Sequence, residues 1–170
     1  MVKNKLIKVK ENYYNFGKSG KGVKKTAAQA YAIKLIKKLC SFRDSKQEML
    51  RKGFWYMAYH YHYAIKPGFV APSGSGWVED FAYNIYTTHS GRCYSFAAAF
   101  GVYAREVGYT ARVINASTSG IRGGYVPHAW VEVVQNGHTY VYDPELAYQT
   151  GNISSYYKRT YASTGARYRK

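Results

Sequence analysis

The sequence predicts an α+β domain in which one helix, carrying a candidate nucleophile, packs on an antiparallel sheet. Three observations predict it: a run of helix formers that opens at Cys93 and ends at Val107-Gly108, an Asn136-Gly137 pair between two β-rich runs, and two capping signatures farther upstream. A chain of 170 residues, 46% of them hydrophobic, can bury a core without help from disulfides or metals. Composition divides it into a basic N-terminal extension over 1–24, a main domain over 25–157 and a basic C-terminal tail over 158–170.

The upstream helices come first. Thr26 with Gln29 and Ser45 with Glu48 each form a capping-box pattern, in which a hydroxyl and a longer side chain three residues later satisfy each other's backbone N–H groups. Helices are therefore expected from both points, within a helical portion of roughly 25–65. Cys40 follows Leu35, Ile36 and Leu39 on the first and reads as a structural cysteine. His60 and His62 fall near the end of the second, diverge, and read as surface residues. Lys66-Pro67-Gly68 opens a loop, and after Ser75 the residues Trp77, Phe81, Ala82 and Ile85 recur at helical spacing, as a core face would. Trp77, Tyr83 and Tyr86 carry ring donors but are left out of the candidate site for that reason.

Cys93 stands in the first turn of the next helix, with Gly108 as its left-handed cap. Unsatisfied N–H groups and the positive end of the helix dipole favour an anion there, so the thiolate is the expected form. Strands are expected near 110–116, 128–134 and 138–144. The loop from Ser117 to Gly124 precedes His128 and is expected to form a wall of a cleft.

Asn136-Gly137 calls for a two-residue type I′ turn, and that turn sets a register. Gln135 faces His138, Val133 faces Tyr140, Trp130 faces Asp143 and His128 faces Glu145. Side chains alternate with period two, so His128, Trp130, Asp143 and Glu145 share one face. His128 and Asp143 then become diagonal neighbours, about 7 to 8 Å apart at the backbone, within reach of a hydrogen bond. Trp130 on that face would shield the bond from water. A cysteine, a histidine and an aspartate on separable elements are the parts that thiol acyl chemistry needs: nucleophile, base and orienting carboxylate.

The pattern Gly-x-Cys opening a helix, then Gly-Tyr-x-Ala-Arg-Val, His-Ala-Trp-Val-Glu-Val and Tyr-x-Tyr-Asp-Pro resembles the transglutaminase-like superfamily over about residues 76–147. The resemblance implies a papain-like cysteine-enzyme core, with Cys93 as nucleophile, His128 as general acid and base, and Asp143 as the carboxylate that orients His128. It implies acyl transfer from an amide of a protein or peptide through a thioester: a peptidase or amidase, or protein transamidation. Hydrolysis is modestly favoured. The rival reading is an inactive papain-like module that binds a peptide or a cell-surface polymer. The chain is too short for the extra β domains of crosslinking animal members, and it has no acidic calcium loop. No cofactor is expected. Zinc on Cys93, His128, Asp143 and perhaps His89 lacks the usual ligand spacings, so no metal site is assigned.

Charge is uneven. Residues 1–52 hold 15 basic and 3 acidic side chains, 53–157 hold 5 and 6, and 158–170 hold 5 basic and none acidic. The candidate catalytic region is nearly neutral and the net charge of +16 belongs to the ends, where Tyr13, Tyr14, Tyr161 and Tyr168 also stand. Such ends suit an anionic cell-wall polymer; without an RNA-binding signature, nucleic acid is not an expected partner. Met1 to Lys8 lack the apolar stretch of a signal peptide, and no run is long enough to span a membrane. A secreted or cell-surface location is expected nonetheless, with this chain as a piece of a longer exported protein.

Overall fold

The computed structural model describes residues 2–65, 69–74 and 76–170. The loop opening at Lys66-Pro67-Gly68 and the helix start at Ser75 lie outside the described residues.

The chain begins with strands β1 (Lys5–Val9), β2 (Asn12–Phe16) and β3 (Gly22–Lys25), which form an antiparallel sheet over the N-terminal extension. Helices α1 (Ala27–Leu39) and α2 (Lys46–His60) follow, and both capping boxes form as the sequence predicts, on Thr26–Gln29 and Ser45–Glu48. Cys40 is the C-cap of α1, with Sγ 3.5 Å from the Tyr103 hydroxyl. His60 ends α2, and His62 lies beyond the helix, in strand β4 (His62–Tyr63). Both are exposed. β4 pairs in parallel with β5 (Ser90–Gly91), a link that fixes the backbone two residues ahead of Cys93. Between them runs α3 (Trp77–Thr88), which buries Ala82, Ile85 and Tyr86.

The centre of the molecule is α4 (Cys93–Val107). Every residue from Cys93 to Ala104 is buried. A helix that is apolar all round must be enclosed, and α1, α2 and α3 pack around this one while strands cover its remaining side. Small residues let these neighbours approach closely. At Gly53 on α2 an added Cβ would lie 2.2 Å from Cε1 of the fully buried Tyr103. Gly53→Ala is therefore expected to destabilise the fold by about 1–3 kcal/mol, although alanine is the better helix former, because a buried ring must move. Urea denaturation measures it, and a variant as stable as the wild type would contradict this packing.

The covering sheet is antiparallel, in the order β8-β7-β6-β9, with β6 (Thr110–Ser119), β7 (Tyr125–Gln135), β8 (His138–Tyr142) and β9 (Tyr168–Arg169). The β6–β7 ladder extends to Ser119 opposite Tyr125, so the first three residues of the expected Ser117–Gly124 loop are strand. What remains is a tight turn over Gly120–Gly124, in which Gly123 and Gly124 supply positive φ of 87° and 68°. The Asn136-Gly137 turn forms with φ of 50° and 77°, and it holds the predicted register from Gln135–His138 to Val131–Tyr142.

The ladder stops at Tyr142, one residue short of the expected pairings. Trp130 does not face Asp143 in the sheet, nor His128 Glu145, because Pro144 has no N–H to offer and instead starts α5 (Pro144–Thr150). Asp143 becomes the cap of that helix.

β7 is buried on both sides. Ala129, Val131 and Val133 join the core with α4, while His128, Trp130 and Glu132 alternate to the other side, where residues 158–170 cover them. The Tyr161 hydroxyl accepts from Trp130 Nε1 at 2.9 Å and donates to Glu132 at 2.6 Å, and Lys170 and Arg112 form ion pairs with Glu132. The segment read from composition as a tail is thus folded onto the sheet. No helix among the described residues is long and apolar enough to cross a membrane.

Candidate active site

Cys93 is the first residue of α4, so its own backbone N–H lies ahead of the first helical bonds, which Ser95 and Phe96 make to Arg92 O, and is left for an anion held at the sulfur. It is buried, at 6% exposure, and beside it lies His128 from β7. The imidazole Nε2 meets Asp143 Oδ2 at 2.6 Å. Nδ1 is the ring nitrogen left for the thiol. The structure therefore brings together the three residues singled out from sequence, at the junction of a helix start, a strand and a helix cap.

Asp143 has two functions that its two oxygens divide. Oδ1 accepts from the Leu146 N–H at 3.0 Å and caps α5, while Oδ2 accepts from His128 and from the Tyr168 hydroxyl at 2.8 Å. Both oxygens are satisfied and the residue is fully buried. Burial works against a charged His128, but the charge of Asp143, its hydrogen bond and the Cys93 thiol outweigh it, and hold the imidazole well above its ordinary range. Burial and the charge of Asp143 push the Tyr168 phenol far up, so it remains a donor.

Trp130 lies fully buried next to this group, its ring nearly parallel to His128 with centroids 6.5 Å apart. Tyr168 closes over it at 4.6 Å. The His128–Asp143 bond is thereby shut away from water, which strengthens it. The ring donors set aside from sequence stand elsewhere: the Tyr86 hydroxyl donates to Ala99 O, Trp77 packs edge-on to Tyr94, and Tyr83 is exposed. His89 stacks on Tyr61 and is not among the residues grouped at His128.

Two participants escaped the sequence reading. Tyr168 lies 25 residues beyond Asp143 in a segment whose composition reads as a tail, and no local pattern marks its contact. Tyr63 lines the same cleft as Cys93, and burial with the nearby Cys93 and Glu145 raises its phenol, keeping the O–H intact. It follows the α2 pattern so closely that a helix reading absorbed it; the break at Tyr61 is set by the parallel β4–β5 pairing, a tertiary contact.

Glu145 is 4% exposed, with Oε2 3.8 Å from His128 Nδ1. Ligand atoms of His128, Asp143 and Glu145 lie within 4.8 Å of one another. The 2.6 Å between Nε2 and Asp143 is hydrogen-bond spacing, shorter than the roughly 3.3 Å edge between ligands sharing a tetrahedral zinc. The arrangement fits an oriented imidazole better than a metal cage.

Burial, together with the charge of Asp143, raises the Glu145 carboxyl to about 7, with His128 and Gln149 partly opposing. An acid whose folded value exceeds its unfolded value favours the folded state most below the unfolded value, near 4.5, and loses that advantage as pH rises toward 7. Relative to wild type, Glu145→Gln is expected to gain on the order of 2–3 kcal/mol of stability between pH 4.5 and pH 8, read by urea denaturation at both. A constant difference between the two proteins would rule out a buried, perturbed carboxyl.

Cys93 and His128 open into a cleft of about 650 Å³, with Asp143 buried behind them; it is walled by the Gly120–Gly123 turn, by Val126 and Pro127 of β7, and by Leu146 and Gln149 of α5. Among solved structures, the chain is similar to a "Putative Cysteine Protease" from Cytophaga hutchinsonii, at 16% identity and a TM-score of 0.52 over 69% of this chain and 37% of that one. It is similar to a TGase at 20% identity and a TM-score of 0.50, over 85% of this chain and 34% of the other. The periplasmic domain of TgpA from Pseudomonas aeruginosa matches at 26% identity, with a TM-score of 0.44, over 72% and 44%. The chain thus spans less than half the length of each. No curated protein matches. The first two likenesses show a shared fold, and the sequence between residues 33 and 144 matches the model of one family. With helix, hairpin and capped aspartate arranged on that fold, the chain belongs to the transglutaminase-like superfamily.

Proposed function

We propose that the protein is a cysteine-dependent acyl-transfer enzyme that acts on amide bonds of a protein or peptide. One observation carries the reading: buried Cys93 and His128 line the same cleft, and the Nε2 of that histidine is bonded at 2.6 Å to the buried carboxylate of Asp143.

The geometry supports the following steps. The Cys93 thiolate attacks the amide carbon, and the oxyanion that develops is held by the Cys93 N–H at the start of α4, with the Tyr63 hydroxyl as the candidate second donor. The C–N bond breaks as imidazolium His128 gives its proton to the departing amine, leaving a thioester. Water then attacks, His128 takes its proton, and the acid leaves with the Cys93 thiolate and the His128 imidazolium restored. An amine in place of water gives transamidation by the same route; a cleft open enough to admit water favours hydrolysis.

The basic flanks support a contact with an anionic cell-wall polymer and, with it, a secreted or cell-surface setting. Lysines 5 and 8 stand exposed on β1, and Lys8 and Lys34 lie over the Tyr13 ring.

The test is the rate at which iodoacetamide alkylates Cys93 and Cys40 from about pH 5 to 9, followed by peptide mass spectrometry. Cys93 is expected to react faster than Cys40 below pH 7, because only the thiolate is nucleophilic and an imidazolium neighbour sustains it. Equal, slow reaction of both would defeat the enzyme reading and leave a binding module.

A further inference from the structure

Around His128 the acidic groups outnumber the cations. The imidazole is flanked by Asp143 on Nε2 and by Glu145 3.8 Å from Nδ1, with the Cys93 thiol also at hand. Asp143 already has its helix cap, its phenol and its imidazole. Glu145 is less well supplied: Gln149 lines the cleft with it, and among the described residues no lysine or arginine forms an ion pair with it. Arg122 belongs to the same cleft but stands on the exposed turn at its mouth.

A carboxylate 4% exposed and lacking a cation of its own is costly, and the molecule leaves one direction open for relief. Glu145 lines the cleft together with Cys93, Tyr63 and Gln149. Among the described residues His128, shared with Asp143, is the one positive group paired with it, and a further positive charge can reach it from the cleft, that is, from whatever occupies the site during reaction.

We propose that Glu145 is a specificity-determining residue that receives a cationic group of the substrate, an ammonium or guanidinium, alongside Cys93. The substrate class is then an amide with a positive charge next to the reacting carbonyl. This rests on Cys93 being the nucleophile, as argued above. Binding such a group pairs the surplus carboxylate and leaves the His128–Asp143 pair intact, so selection does not disturb the proton-transfer machinery.

Three thiol reagents of one reactive type test it: the aminoethyl (cationic), methyl (neutral) and sulfonatoethyl (anionic) methanethiosulfonates. Their rates at Cys93 and at Cys40 are followed by peptide mass spectrometry near pH 7.5, in wild type, Glu145→Gln and Glu145→Asp. In wild type the cationic-to-neutral ratio at Cys93 should exceed that at Cys40 by about tenfold or more, and the anionic reagent should be the slowest, as expected for a charge pair a few ångströms apart in a partly buried site. Glu145→Gln should cut the Cys93 ratio by about tenfold, and Glu145→Asp should stay within about threefold of wild type. A Cys93 ratio that Glu145→Gln leaves unchanged overturns the proposal. If that variant does not fold, the wild type decides alone: equal ratios at Cys93 and Cys40 overturn it. Should the neutral reagent modify Cys93 no faster than Cys40, it is the nucleophile reading that has failed, a result distinguishable from loss of charge selection.

Discussion

His128→Ala is expected to lower turnover of the amide substrate by about 10³-fold or more, and to slow alkylation of Cys93 at pH 6 by about tenfold while leaving Cys40 unchanged. The two numbers differ because in the proposed mechanism the histidine acts twice. As an imidazolium it sustains the thiolate, and an unassisted thiol is less than about 1% ionised at pH 6. That advantage is partly offset, since a stabilised thiolate is also a weaker nucleophile, so the alkylation effect is the smaller. Turnover requires in addition a proton for the departing amine and later a base for water, and alanine supplies neither. A variant that alkylates like the wild type, or retains turnover within tenfold, would show that His128 is only a buried neighbour of Cys93.

How far the sequence carried this site depends on which forces set each part. Capping boxes, the type I′ turn and the left-handed Gly108 cap are decided within a few residues, and each was legible: Thr26, Ser45, Asn136 and Gly108 sit where local chemistry puts them. The hairpin register followed from the turn and held through Val131–Tyr142. It failed at the next pair because Pro144 competes with the ladder and wins, a conflict visible in the sequence but not weighed there. The aspartate still reaches His128, through a helix cap in place of a strand position.

The C-terminal segment is the opposite case. Its five basic residues and lack of acids read as a solvated tail, yet Tyr161, Tyr168 and Lys170 each end on a buried carboxylate, Glu132 or Asp143. The carboxylates lie far upstream in the sequence. Glu132 is held below its usual range by Lys170, Tyr161 and Arg112 against the cost of burial, so basic composition here serves specific partners inside the fold as well as solvation. Composition has no access to such long-range pairs.

The same division of labour makes Asp143 the most informative position to change. Asp143→Asn keeps an oxygen for the Leu146 N–H, so the cap on α5 survives and stability should fall by less than about 1 kcal/mol. Its amide N–H₂, however, would face His128 Nε2, and two donors cannot bond. The imidazole is then driven to carry its proton on Nδ1, the nitrogen nearer the thiol, where it can no longer accept one; turnover should fall about 10³- to 10⁴-fold. Asp143→Ala should lose comparable activity for a different reason, and with it about 3 kcal/mol of stability, because the cap disappears while the Tyr168 hydroxyl and the His128 N–H are left buried without an acceptor. Turnover and urea denaturation on both variants separate the two roles. If asparagine destabilises as much as alanine, the cap does not survive as drawn; if asparagine keeps activity within tenfold of wild type, the 2.6 Å contact between His128 and Asp143 has no part in orienting the imidazole.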